Sequence, residues 1–146
     1  MTPGLAVARR RRPGVVTALV VLLSLELVGA FALLAVGLVF MVPNSSPTAR
    51  AGNPWGDLGW GIGLIATSAG AVVGAVLGTL LLLVRRRSRL AVPGVVALHA
   101  LLLAIVLSGG ADMTAWLIAP APLTAGSLAL MPASRVWLAS SRATQT

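Results

Sequence analysis

Four long apolar runs constrain the fold of this chain more than any other feature. They cover residues 15–42, 58–84, 90–108 and 113–133, with short polar segments between them. A helix of about 20 apolar residues crosses the hydrocarbon core of a bilayer, because each residue adds ~1.5 Å. The apolar residues follow neither the two-residue period of a strand nor the 3.6-residue period of a half-buried helix. The sequence therefore predicts an all-α, polytopic bundle of four transmembrane helices.

The composition fits a membrane protein rather than a water-soluble domain. Apolar residues make up 58% of the chain and charged residues 10%, whereas a soluble domain carries about a quarter charged residues. The absence of cysteine excludes disulfides, thiolate catalysis and cysteine metal sites. One membrane domain, residues 15–133, accounts for the length. Cytoplasmic tails over residues 1–14 and 134–146 flank it.

The arginines predict the orientation of the helices. All 11 basic residues are arginine, and all but Arg50 lie in the two tails or in the loop at residues 85–89. Arginine-rich segments stay in the cytoplasm, so both termini are predicted to be cytoplasmic and the protein to lie in the cell membrane. This placement at the ends of apolar runs argues against nucleic-acid binding. The clusters that fix topology are also candidates for anionic lipid headgroups: Arg9, Arg10, Arg11, Arg12, Arg85, Arg86, Arg87 and Arg89.

The first run has a second interpretation, a cleaved signal peptide, because residues 30–32 read Ala-Phe-Ala after a basic segment. Glu26 interrupts the apolar stretch, however, and further apolar residues follow Ala32, so we predict an uncleaved span. The loop at residues 43–57 contains three prolines and two glycines. It is therefore predicted to lack regular structure.

The second run carries small residues at four-residue spacing, which places them along one face of a helix. Another helix backbone can approach such a face closely. The partner is either the first or third span of the same chain, or a second copy in a homodimer. The residues of this predicted packing face are Ala66, Gly70, Gly74 and Gly78, and Gly59 and Gly63 extend it.

Glu26 and His99 are the ionisable residues within the predicted spans. Counted from the arginine-rich ends, they lie about 16 and 14 Å deep, and Gly74, Thr124 and Ser127 fall near the same layer. Ionisable residues in lipid are costly and usually functional. We therefore predict that Glu26 and His99 pair, with Thr124 or Ser127 alongside. The cluster is either a polar plug that fixes helix register or a site that binds protons or a ligand.

The fourth run contains Pro120 and Pro122, which predict a kink because each removes a helix hydrogen bond. Pro132 is predicted to end this span. The hydroxyls of Thr124 and Ser127 have an alternative to the polar cluster, namely the backbone carbonyls one turn before them.

No catalytic, metal or cofactor site is predicted, since the chain has three acidic residues and one histidine. The chain is therefore predicted not to be an enzyme. We expect a structural or accessory protein that lies in the lipid bilayer and works with a larger membrane complex. The alternative is a small proton-coupled transporter or channel that uses Glu26 and His99.

Three features together resemble small four-span integral membrane proteins of actinobacteria. They are an acidic residue in the first span, the Arg-Arg-Arg-Ser-Arg loop that runs into Leu-Ala-Val-Pro and His99, and the closing segment Leu-Met-Pro-Ala-Ser-Arg at residues 130–135. The resemblance implies four membrane spans and no particular function.

Residues 26–29, Glu-Leu-Val-Gly, are also similar to the glutamate-x-x-glycine of small multidrug resistance transporters. That resemblance implies that Glu26 exchanges protons for cationic drugs. Three features depart from the family: a longer loop at residues 43–57, a third run without tyrosine or tryptophan, and a strong arginine bias. The bias departs from the balanced charge that antiparallel dimers of that family need.

Overall fold

The computed structural model describes residues 13–108 and 120–139. All regular structure in these residues is helical, which confirms the all-α class for them. The predicted cluster Arg9–Arg12 lies outside the described residues. The helices are α1 (Gly14–Met41), α2 (Pro47–Ala51), α3 (Gly56–Arg85), α4 (Ala91–Ser108), α5 (Pro120–Leu130) and α6 (Pro132–Ala139).

Helices α1 and α3 are long and apolar enough to cross a membrane. Their 28 and 30 residues correspond to lengths of about 42 and 45 Å. In the most apolar 18-residue segments of α1 and α3, only 17% and 28% are buried inside the protein. A core helix of a soluble protein would be mostly buried. Large side chains such as Phe31, Val39 and Ile65 are 58%, 70% and 70% exposed. This surface favours association with a membrane.

Two helices of the described residues pass this test of length and hydropathy, fewer than the four predicted. The apolar stretch of α4, Ala91–Val106, is too short. The run at 113–133 is divided, because α5 ends at Leu130 and a new helix begins at Pro132. A proline cannot continue a helix but is well suited to the first turn of one. Residues 113–119, before the predicted kink, lie outside the described residues.

Helices α1 and α3 pack antiparallel and make the most extensive contact between described elements. Helix α5 packs against α4 and α1, and α4 also contacts α3. The apolar core lies in the half of this bundle that is nearer to Arg85. Its buried residues include Val16, Leu19, Leu23, Leu77, Leu80, Val84, Ala91 and Val95.

The loop between α1 and α3 is structured, so the prediction of an irregular segment at residues 43–57 is wrong. The hydroxyl of Ser46 accepts a hydrogen bond of 3.1 Å from a backbone N–H of α2, and Pro47 occupies the first turn. A serine followed by proline is a helix-start signal, which accounts for the difference. Arg50 lies 3.3 Å from Asp57 and 5.0 Å from the centroid of the Trp60 ring. These residues mark the end of α3 opposite to Arg85.

Candidate functional site

Glu26 of α1 and His99 of α4 contact each other directly. The Nε2 atom of His99 lies 3.0 Å and 3.3 Å from the two carboxylate oxygens of Glu26. The Nδ1 atom lies 2.7 Å from the carbonyl oxygen of Val95, one turn earlier in α4. The His99 side chain is 1% exposed and the Glu26 side chain 18% exposed. Both ring nitrogens therefore have a partner, and the histidine is sealed within the protein.

The backbone partner of His99 decides where protons can lie. A carbonyl oxygen can only accept a hydrogen bond, so Nδ1 carries a hydrogen and donates a hydrogen bond to the carbonyl oxygen of Val95. The contact at Nε2 then has two forms. Either Nε2 also carries a hydrogen and donates to an ionised Glu26, or a protonated Glu26 donates to the lone pair of Nε2. Both forms hold one proton between the two residues, and both leave the Glu26–His99 pair with no net charge.

The register of the two helices directs these side chains at each other. On each helix the polar residue continues a stripe of buried residues at spacings of three or four, which is one face of a helix. A buried polar group is costly without a partner, so the pair satisfies both members. The stripes consist of Leu19, Leu23 and Ala30 on α1 and of Ala91 and Val95 on α4.

Thr124 and Ser127 lie on the exposed side of α5, and the structure does not bring them into the Glu26–His99 pair. The Ser127 hydroxyl donates a 2.6 Å hydrogen bond to the carbonyl of Leu123, which is the predicted alternative. A hydroxyl satisfied by its own helix needs no partner across the bundle. The buried side of α5 instead presents Ala125 and Ala129, both 0% exposed. The sequence had given no signal for these two alanines.

The small residues of α3 contact α1 of the same chain, which is one of the two predicted arrangements. Gly70 and Gly74 are buried there, and a Cβ added at Gly74 would lie 3.7 Å from the Cβ of Ala30. A Cβ added at Gly78 would meet nothing within 4 Å, and Ala66 is half-buried. The closest approach also uses Gly37 of α1, which the sequence pattern of α3 could not reveal.

The arginine-rich loop is held against the last helix. Arg87 has a φ of 53°, which is uncommon for a residue other than glycine. Its guanidinium lies 4.2 Å from the centroid of the Trp137 ring, and Trp137 is 6% exposed. A guanidinium above an aromatic ring is attracted by the electrons of the ring face, which stabilises the contact between Arg87 and Trp137. The loop after α3 and helix α6 therefore meet at the same end of the bundle.

The candidate sites are assigned from the chemistry of their own residues. Comparison with protein-family models, with curated proteins and with solved structures found no match. Within residues 13–108 and 120–139, no group of three or more acidic or histidine side chains could hold a metal ion. The Glu26–His99 pair and the arginine-rich end are therefore the two candidate sites.

Proposed function

We propose that this chain is a multi-pass protein of the cell membrane with a structural or accessory, non-enzymatic role in a larger membrane complex. The proposal includes four spans, with both termini in the cytoplasm. The observation that carries it is the closed Glu26–His99 contact between two helices whose outer surfaces are apolar. Such a contact joins helices, whereas a catalytic pair must reach a substrate.

The Glu26–His99 pair has a clear structural task in lipid. No hydrophobic force joins helices there, so packing and polar contacts must hold them together. The pair connects the middle of α1 to the middle of α4 and is neutral overall, which limits the cost of placing it in the membrane. It fixes the register of α4, the shortest of the three predicted spans that the structure describes in full.

A second candidate function is proton-coupled transport through the same pair. The observation that favours it is the 18% exposure of the Glu26 side chain, which leaves the carboxylate less enclosed than the ring of His99. Loss of the shared proton would leave Glu26 ionised beside a Nε2 lone pair. That arrangement is repulsive and would loosen α1 from α4.

A proton-flux measurement separates the two functions. The purified protein is placed in liposomes that contain a pH-sensitive dye and carry a potential across the membrane. If the role is accessory, the interior of these liposomes should acidify no faster than that of empty liposomes. Under the transport function, the wild type should acidify faster and Glu26→Gln should abolish the difference. The matched control is Asp57→Asn, which removes a carboxylate that is 93% exposed. Flux that is sensitive only to Glu26→Gln would overturn the accessory role.

The accessory role also needs a partner. Purification from native membranes in a mild detergent should recover a second protein in fixed stoichiometry, and the yield should be unchanged in Asp57→Asn. Recovery of this chain alone, together with the absence of proton flux, would contradict the accessory role.

The proposed orientation predicts which positions a membrane-impermeant maleimide reaches. The natural chain has no cysteine, so single substitutions report cleanly. Ala51→Cys should react in intact cells because it lies at the end of the bundle opposite to the arginine-rich loop. Arg86→Cys and Ser141→Cys should react only after the membrane is permeabilised. Labelling of Arg86→Cys in intact cells would show that the orientation is reversed.

A further inference from the structure

We infer that the arginine-rich end binds the phosphate headgroup of an anionic phospholipid in a cavity between α4 and α6. The cavity has a volume of about 270 Å³. Its lining residues are Arg89, Val92, Pro93, Arg135 and Leu138. The inference rests on the proposed membrane location, because a lipid headgroup reaches this end of the bundle only if the helices cross the bilayer.

The charges of the cavity call for an anion. The guanidinium groups of Arg89 and Arg135 have no ion pair or hydrogen bond within the described ranges 13–108 and 120–139. By contrast, Arg50 is paired with Asp57, and Arg87 stacks on Trp137. Two unneutralised guanidinium groups on one cavity repel each other unless an anion lies between them. Phosphate suits this position because a guanidinium can donate two parallel hydrogen bonds to its oxygens.

The remaining lining favours a lipid over a free ion. Val92, Pro93 and Leu138 present apolar surface beside the two arginines. The cavity volume approaches about 300 Å³, the lower limit for sites that enclose small organic ligands. A cavity of this volume has more room than inorganic phosphate needs. A phospholipid headgroup supplies both a phosphate for the arginines and glycerol carbons for the apolar side chains.

Titration with a short-chain phosphatidylglycerol tests the inference. The full chain in a neutral detergent should bind this lipid more tightly than the matching phosphatidylcholine, as measured by calorimetry at about 0.1 M salt, where exposed charges are screened beyond ~10 Å. Arg89→Gln with Arg135→Gln should weaken the affinity about tenfold or more. The matched control is Arg85→Gln with Arg86→Gln, which removes the same charge at the same end but does not line the cavity. The control should lose about threefold at most.

Each other outcome overturns the inference. Equal losses in the two double variants would show a diffuse basic surface instead of a site. Inorganic phosphate that binds as tightly as the lipid, and competes with it, would identify a soluble-anion site. Equal binding of both lipids would exclude headgroup recognition.

The folding of the variants can be controlled. Because the arginines are exposed, helix content by circular dichroism should be unchanged, and Arg89→Lys with Arg135→Lys provides a second pair that keeps the charge. This pair should bind with intermediate affinity if bidentate contacts matter. The maleimide labelling and flux experiments do not involve the cavity, so failure of the proposed function would appear there independently.

Discussion

Replacing Gly70 by valine is expected to force α1 away from α3. Gly70 is buried, and an added Cβ would lie 2.7 Å from the backbone nitrogen of Leu34 and 2.8 Å from the carbonyl oxygen of Ala30. These are backbone atoms of a helix, which cannot rotate out of the way. Overpacking of this kind costs about 1–3 kcal/mol and sometimes more, and we expect the upper end. Thermal unfolding in detergent should show a lower midpoint, with loss of helix content at lower temperature.

The matched control for this substitution lies on the same helix. A Cβ at Gly78 would meet nothing within 4 Å, so Gly78→Val should change the free energy of unfolding by about 0.5 kcal/mol or less. The pair also separates the two predicted partners of this face. If Gly78 belonged to a homodimer contact, Gly78→Val would shift the sedimentation of the protein toward the monomer. Equal destabilisation by both substitutions would contradict the observed α1–α3 contact.

The lengths of the helices could be predicted from the sequence because apolar length and terminating residues decide them. The runs at 15–42, 58–84 and 90–108 differ from α1, α3 and α4 by two residues or fewer at each end. The end of a helix just before Pro132 was predicted, but the new helix α6 that begins at Pro132 was not. A proline is compatible both with the end of one helix and with the first turn of the next, so sequence alone could not decide the role of Pro132.

The polar layer shows the limit of reasoning from depth. Counting residues placed Glu26, His99, Thr124 and Ser127 at similar depths, but depth does not say which way a side chain faces. Glu26 and His99 have no sufficient partner on their own helices, so a contact between them satisfies both. The Ser127 hydroxyl has its own backbone at 2.6 Å, and this removes the need for a partner across the bundle.

The arginines show a different limit. The sequence predicts which arginines share an end of the bundle, because that depends only on the order of the spans. It could not predict that Arg87 contacts Trp137 or that Arg89 and Arg135 line one cavity. These contacts join segments far apart in the chain, and they depend on the direction that α6 takes after the break at Pro132.

Removing one member of the Glu26–His99 pair should destabilise the protein more than removing both. His99→Leu leaves a carboxyl group without its partner, and Glu26→Leu leaves the buried Nε2 atom without one. Each single change should cost about 1–3 kcal/mol, the penalty of an unsatisfied buried polar group. The double variant replaces both polar groups by apolar side chains, which is often nearly neutral. Unfolding free energies of the four proteins should therefore show the double variant closer to the wild type than either single variant.

Two further variants test whether the loss of stability comes from the contact between Glu26 and His99. Because Nδ1 donates to Val95, neutral His99 presents a lone pair at Nε2, and the amide introduced by Glu26→Gln can donate to it. Glu26→Gln should therefore be milder than Glu26→Leu, although both remove the charge. Ser127→Ala should cost about 0.5 kcal/mol or less, since that side chain is exposed. Simple addition of the two leucine effects would mean that Glu26 and His99 do not contact each other in the membrane.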